Sequence, residues 1–269
     1  MTRIDQRFAA LRAKKRTGLI PFITAGDPSP DATVAIMHAL VAAGADLIEL
    51  GVPFSDPMAD GPVIQHANER ALARGVGLAK ILGWVREFRT RDAETPVVLM
   101  GYLNPVEIHG MQRFASEAHE AGVDGVLLVD CPIEEADTTA PIRAAGLARI
   151  LLAAPTTAQA RLAAICAAAE GFLYYVSFAG ITGADRLSMD DVRARVAGIR
   201  RSAKTPVAVG FGVRDAASAA AIGEFADAVV IGSALVDRLA SATDAAEASR
   251  RARDFLAPIR AALDQTRGT

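Results

Sequence analysis

The sequence has few cysteines, few aromatic residues and no excess of charge of one sign. Its 269 residues include only Cys131 and Cys166, which lie far apart and outside any metal-binding spacing. A disulfide framework is therefore excluded, and we expect a reduced, cytoplasmic protein. The net charge of −2 and the absence of a basic stripe argue against nucleic acid as a partner.

Long apolar runs and the common catalytic motifs are also missing. The apolar stretches are shorter than the roughly 18 residues that a membrane span needs, and the first residues lack the apolar run of a secretory signal. The four histidines, His38, His66, His109 and His119, fall on predicted helices or loops without metal spacing. We therefore expect no membrane association and no metal site.

Short aliphatic runs alternate with Ala-rich segments of helical length. The runs are nearly continuous in apolar residues, as parallel strands covered on both faces are. The eight predicted strands are 19–24, 47–51, 97–101, 125–129, 148–153, 172–177, 207–210 and 228–232. Predicted helices include 30–43, 111–121, 134–145, 158–169 and 189–202, and a further helix, 4–13, precedes the first strand.

This alternation predicts an α/β protein of the (β/α)₈ TIM-barrel type with an extra N-terminal helix. A doubly wound open sheet is the alternative, and the pattern alone does not exclude it. No Pro-, Gly- or Ser-rich linker interrupts the chain, so we expect one domain over residues 1–269. In such a barrel the active site lies where the strands end and the following loops begin.

Glu49 is the most unusual residue of any predicted strand. In the strand 47–51, Leu47, Glu49 and Gly51 share one face, while Ile48 and Leu50 share the other. In a barrel, Ile48 and Leu50 would pack on the helices and Glu49 would point into the interior near its mouth. The alternative is a Glu paired with a basic residue, but we expect the other strand runs to contain no Lys or Arg that could pair with it inside the barrel. Apolar neighbours would raise its pKa, which suits a group that gives and takes protons.

Asp60 closes the loop after the same strand, directly before Gly61 and Pro62. It is either a second functional carboxylate or a cap for the helix that starts at Pro62, and the residues alone do not decide. Asp56 has the same ambiguity, with a turn-forming role favoured.

Glycines follow the last two predicted strands. Gly210, Gly212 and Gly232, with Ser233 opening a short helix, match the usual phosphate site of this fold. Ordinary tight turns are the alternative. The segment 180–183 is either part of the same site or a mobile lid. Tyr174 and Tyr175 lie on opposite faces of their strand, so only one enters the barrel.

Five separated segments together resemble the alpha subunit of tryptophan synthase over nearly the whole length. They are 47–61, 21–28, 100–105, 177–183, and Gly210-Phe211-Gly212 together with Gly232-Ser233. The resemblance implies retro-aldol cleavage of indole-3-glycerol phosphate to indole and glyceraldehyde 3-phosphate in tryptophan biosynthesis. One departure is Phe178, where some family members have an Arg that could help to close the lid.

The resemblance also implies a role for individual residues. Glu49 would be the acid-base group, and Asp60 would accept the indole N–H and stabilise the positive charge on the ring. Other matched positions bind substrate: Phe22, Met100, Leu127 and Phe211 line the indole pocket, Tyr174 is the active-site tyrosine, and Thr182, Gly183, Gly212, Gly232 and Ser233 contact the phosphate or form the lid.

A partner is implied as well. In this family a beta subunit carries pyridoxal phosphate and receives indole, in an α2β2 tetramer. Residues 53–58 and Asn104-Pro105 match interface regions. The alpha chain itself is expected to need neither a cofactor nor a metal.

Three other functions remain open at this point. One is a free-standing lyase that releases indole without a partner, and another is a non-catalytic paralogue that only activates a partner. The third is another phosphate-binding barrel enzyme, such as a sugar-phosphate epimerase.

Overall fold

A parallel sheet forms the centre of the protein. The computed structural model describes residues 1–176, 188–210 and 212–266. In these ranges the strands are β1 (Gly18–Thr24), β2 (Ile48–Gly51), β3 (Val97–Gly101), β4 (Gly125–Leu128), β5 (Ala148–Arg149), β6 (Leu151–Ala153), β7 (Leu173–Val176), β8 (Val207–Gly210) and β9 (Ala228–Ile231). Their order in the sheet is β5-β4-β3-β2-β1-β9-β8-β7-β6.

The two ends of this sheet are joined covalently. β5 and β6 are its outermost strands, and only Ile150 separates them in the chain. The Ile150 N–H donates to the Val126 carbonyl on β4 at 3.0 Å, which continues the β4–β5 ladder to the start of β6. The sheet therefore closes on itself, and β5 with β6 forms one of eight barrel strands. The predicted barrel is confirmed, and the open-sheet alternative is wrong.

The helices surround the barrel and cover its lower end. They are α1 (Arg3–Ala13), α2 (Thr33–Ala42), α3 (Pro62–Ala73), α4 (Leu78–Arg89), α5 (Leu103–His109), α6 (Met111–Ala121), α7 (Ala140–Ala144), α8 (Gln159–Ala168), α9 (Met189–Ser202), α10 (Ala216–Gly223), α11 (Ser233–Ala240) and α12 (Ala245–Gln265). None of these described helices has the length and apolar character needed to cross a membrane.

The predicted helix 134–145 is wrong over its first half. Only the 3₁₀ turn Ile133–Glu135 and the short α7 form there. Thr138 and Thr139 bond locally instead, to the Glu135 carboxylate at 3.4 Å and the Ala136 carbonyl at 3.2 Å. Such local bonds compete with the helical pattern, and Pro141 lacks the N–H that a helix continuing through it would need.

Two apolar layers follow from the alternation of side chains along the strands. Ile48 and Leu50 pack in the outer layer with the helices, whereas Leu47 packs in the barrel interior. The extra helix α1 closes the lower end, because its residues Ile4, Phe8 and Leu11 belong to the interior cluster. The opposite end, where the strands terminate, stays available for a site.

Three aspartates, Asp46 and Asp124 buried and Asp227 partly buried, stabilise the amino ends of three strands. Each accepts the N–H of the first or second residue of a strand and an arginine from a surrounding helix. The sets are Asp46 with Leu19 (2.9 Å) and Arg260 (3.1 Å), Asp124 with Val97 (2.8 Å) and Arg89 (2.7 Å), and Asp227 with Val207 (3.0 Å) and Arg200 (2.8 Å). These contacts connect the barrel to its helices at the amino ends of the strands, opposite the end where the active site is expected.

We expect the Asp124→Asn variant to lose about 3 kcal/mol of unfolding free energy, because it leaves the Arg89 and Arg3 guanidinium groups without their buried carboxylate. Urea denaturation of the variant and of the unchanged chain measures the difference. Glu134→Gln is the matched control, since its ion pair with Arg161 is exposed and contributes about 0.5 kcal/mol or less. Equal losses in the two variants would contradict a special role for the buried pair.

Candidate active site

Glu49 lies in the barrel interior. It pairs in register with Val98 of β3, and both Val98 and Leu47 belong to the interior cluster. Residues that share a register across parallel strands, or alternate along one strand, point to the same face, so the Glu49 carboxyl points inward as strand parity predicted. The residue is 0% exposed, and neither carboxyl oxygen has a hydrogen-bond partner among the described residues. Burial raises its pKa to about 8.

One strand of the barrel does contain a basic residue. Arg149 lies on β5, between the interior residues Ala148 and Ile150. It therefore points outward, and its Nη1 donates to the Thr139 hydroxyl at 2.9 Å. The expectation that no basic side chain faces Glu49 thus holds for the described residues, although the strands do contain an arginine.

Tyr174 is the tyrosine that enters the barrel. It belongs to the interior cluster, whereas Tyr175 belongs to the outer one. Burial raises the pKa of Tyr174 well above its ordinary value, and the Glu49 charge raises it further. A Cβ added at Gly210 would overlap the Tyr174 hydroxyl. Tyr174 is therefore a neutral hydroxyl beside Glu49, and the lack of a side chain at Gly210 makes room for it.

Asp60 does not cap a helix. The N-cap of α3 is Gly61, and no side chain among the described residues accepts a capping hydrogen bond from the start of this helix. The Asp60 carboxylate instead accepts from the Asn68 side-chain amide at 3.3 Å and from the Tyr102 hydroxyl. Burial raises its pKa to about 6, while these two hydrogen bonds lower it. The alternative of a capping aspartate is therefore wrong.

Tyr102 and Asn68 were not singled out from the sequence. Both are buried, and both bond Asp60. The Tyr102 hydroxyl also accepts from the Ala59 N–H at 3.0 Å, and its ring lies 5.1 Å from that of Phe54. The available signal for Tyr102 was its place directly after β3, at the end of the barrel where sites form. Asn68 offered none beyond being polar on an amphipathic helix.

An apolar patch lies beside these carboxylates. Phe22, Ala67 and Val236 form a buried cluster, against which Val63, Ile64 and Met100 pack. A Cβ added at Gly51 would lie 2.5 Å from Phe22 Cζ, so this glycine is needed for the ring to lie where it does. Met100 also packs on the interior cluster that contains Leu127. The patch and the interior are thus continuous through Met100.

The predicted phosphate-binding residues lie at the ends of β8 and β9. Gly212 is exposed and has φ +51°, a backbone conformation that favours glycine. Gly232 is the N-cap of α11 and carries no side-chain cap, and Ser233 is the exposed first residue of that helix. Uncapped N–H groups at a helix start favour an anion.

Several predicted residues lie outside the described ranges. They are Thr182, Gly183 and Phe211, together with Phe178 and the rest of the segment 180–183. Among the described residues, no group of three His, Cys, Asp or Glu side chains could hold a metal ion.

Comparisons with known proteins agree with this geometry. The family model described as "Tryptophan synthase alpha chain" matches residues 8–263. The tryptophan synthase alpha chain of Xylella fastidiosa strain 9a5c is 63% identical over 265 residues, covering 98% of this chain and 99% of the relative. That of Xanthomonas oryzae pv. oryzae strain PXO99A is 63% identical over 268 residues, covering 98% and 100%.

Solved structures agree as well. Tryptophan synthase subunit alpha from Legionella pneumophila str. Paris superposes with a TM-score of 0.92 at 45% identity, covering 98% of this chain and 99% of that one. A structure of tryptophan synthase from M. tuberculosis gives 0.87 at 36% identity, covering 98% and 99%. The chain therefore belongs to the tryptophan synthase alpha chain family.

Proposed function

We propose that this chain is the lyase that cleaves indole-3-glycerol phosphate to indole and glyceraldehyde 3-phosphate, with Glu49 and Asp60 as its catalytic residues. The observation that carries the assignment of roles is the Glu49 carboxyl, which is fully buried, lies beside Tyr174 and has no hydrogen-bond partner in the part of the chain that the structure describes. Leaving such a group unpaired is costly in free energy, so a functional use explains it better than packing does.

Glu49 supplies the proton transfers. Breaking the carbon–carbon bond requires a proton on indole C3 and removal of the proton from the side-chain hydroxyl. With a pKa of about 8, Glu49 is mostly protonated at neutral pH and can give its proton to C3. The resulting carboxylate then accepts the hydroxyl proton as the bond breaks. The residue returns to its starting state, so one carboxyl serves both transfers.

Asp60 stabilises charge on the ring. With a pKa of about 6, it is mostly ionised at neutral pH and can accept the indole N–H. Protonation at C3 places positive charge on the ring, and a fixed carboxylate lowers the energy of that state. Asn68 and Tyr102 hold the carboxylate by hydrogen bonds. Two carboxyl groups with separated pKa values thus have two different roles.

The rest of the site fits the two ends of this substrate. The apolar side chains of Phe22, Met100 and Leu127 suit a flat indole ring. Gly212, Gly232 and Ser233 offer backbone donors to a phosphate. Thr182, Gly183 and Phe211 are proposed to contribute on the strength of the family resemblance.

A beta subunit is the partner that the family name implies, and we propose an α2β2 tetramer in which the beta subunit binds pyridoxal phosphate. This chain would itself use no cofactor and would act in the cytoplasm as one domain. Exposed apolar side chains support a docking surface, because Met58 is 85% and Ile108 80% exposed. Met58 lies in segment 53–58, and Ile108 lies on α5 with Asn104-Pro105.

The partner assignment is tested by steady-state cleavage of indole-3-glycerol phosphate with and without added beta subunit. Strong activation is the expected result, and it supports a subunit. Equal turnover in both arms would instead favour a free-standing lyase, and no turnover in either arm would favour a non-catalytic paralogue.

We expect the Glu49→Gln variant to lose turnover by about 10³-fold, because the amide cannot give and retake a proton. Binding of the substrate, measured by calorimetry with the inactive variant, should stay close to that of the unchanged chain. Near-normal turnover would remove Glu49 from the mechanism.

The same variant has a stability signature. Because folding raises the Glu49 pKa from 4.5 to about 8, the folded state holds its proton more tightly than the unfolded state over that range. Unfolding free energy therefore falls as pH rises from about 5 to 8. Between about pH 5 and 8 we expect the unfolding free energy of Glu49→Gln to rise by roughly 3 kcal/mol relative to that of the unchanged chain, because the amide does not ionise. A pH-independent difference in urea denaturation would contradict a raised pKa.

The two carboxyl groups also predict a bell-shaped dependence of kcat/KM on pH. Activity should fall below about pH 6 as Asp60 is protonated, and above about pH 8 as Glu49 loses its proton. Asp60→Asn should remove the acidic limb while lowering activity at all pH values. An unchanged acidic limb in this variant would assign that limb to another group.

A further inference from the structure

A cavity of about 520 Å³ lies where β8 and β9 end. Its wall includes Val63 of α3, Ser233 at the start of α11, and Arg214, two residues after Gly212. Val63 also packs against the Phe22 patch. The cavity therefore adjoins both the proposed ring site and the proposed phosphate site.

Arg214 has an anchored backbone and an exposed side chain. Its N–H donates to the Ser218 hydroxyl at 3.0 Å, which anchors it before α10. No carboxylate lies within 4 Å of its guanidinium among the described residues. The neighbouring Asp215 carboxylate accepts the Ser218 N–H at 2.8 Å and caps α10, and the Arg214 charge helps to lower its pKa.

The other charges in this cavity are less available. Arg251 pairs with Glu247 at 2.7 Å. Asp237 and Arg238 are neighbours on α11, beyond Ser233, and carry opposite charges. Arg214 is therefore the cation on this wall that is nearest in the chain to Gly212, and it belongs to no ion pair among the described residues.

We propose that Arg214 supplies a positive charge to the phosphate group of the substrate, adding a cation to a site otherwise built from backbone N–H groups and a serine. This inference rests on the proposed function. Backbone donors are neutral, whereas a phosphate carries up to two negative charges. A guanidinium offers both charge and several N–H donors to its oxygens. Arg214 thereby strengthens the preference for phosphorylated substrate over a neutral analogue.

The test is Arg214→Gln, with Arg214→Lys as the conservative variant and Arg201→Gln as the charge-matched control on α9. Arg201 lines a different cavity, between α8 and α9, and has no ion pair among the described residues. Binding of glycerol 3-phosphate and of glycerol is measured by titration at low and high salt, and KM and kcat for indole-3-glycerol phosphate are measured with beta subunit present. Melting temperatures check that each variant folds.

We expect Arg214→Gln to weaken glycerol 3-phosphate binding and raise KM by on the order of tenfold at low salt, with kcat changed much less. Glycerol binding should not change, the lysine variant should recover part of the affinity, and Arg201→Gln should behave as the unchanged chain does. The inference is overturned, while the proposed function stands, if the unchanged chain cleaves the substrate and Arg214→Gln binds glycerol 3-phosphate and glycerol with the same affinities as the unchanged chain. If the unchanged chain does not cleave the substrate, the proposed function fails, and the glycerol 3-phosphate titration alone decides whether Arg214 binds phosphate.

Discussion

Ile150 joins β5 to β6 at the two ends of the sheet, and its hydrogen bond to Val126 on β4 holds the junction in the ladder; this closure gives the protein an interior. An open sheet would have no closed interior, and the Glu49 carboxyl on β2 could then reach water or a hydrogen-bond partner. In the closed barrel the same side chain faces apolar neighbours and Tyr174. Desolvation then raises the Glu49 pKa to about 8, so the chemistry of the site follows from the topology of the sheet.

Carboxylates at the two ends of the barrel differ in how they are satisfied. Asp46, Asp124 and Asp227 at the strand starts each bond a strand N–H and an arginine. Within the described ranges, Glu49 in the interior has no hydrogen-bond partner, and Asp60 at the mouth has only neutral ones. Burial raises the pKa of Asp46 as well, despite its arginine partners, but of these carboxyl groups only Glu49 and Asp60 combine a raised pKa with the absence of a counter-ion among the described residues.

Tyr102 connects the site to the loop expected to meet a partner. Its hydroxyl donates to Asp60 and accepts from the Ala59 N–H, and its ring lies 5.1 Å from the Phe54 ring of segment 53–58 at a tilt of 32°. A shift of this loop on association would act on the same side chain that holds the Asp60 carboxylate. If the proposed partner docks on this loop, Tyr102 would link that contact directly to the position of the Asp60 carboxylate.

The sequence by itself determined the features that depend on local pattern. Strands β3 and β8 and helices α6 and α9 begin and end where periodicity predicted, and the inward direction of Glu49 followed from alternation along one strand. Tertiary structure decided what depends on distant residues. Parity could not say which of Tyr174 and Tyr175 turns inward, because that depends on the registration of β7 against β6 and β8. Nor could it separate Asp60 as a cap from Asp60 as a held carboxylate, since Tyr102 lies more than 40 residues away in the chain. Such contacts exist only once the barrel has closed, so no local pattern can encode them.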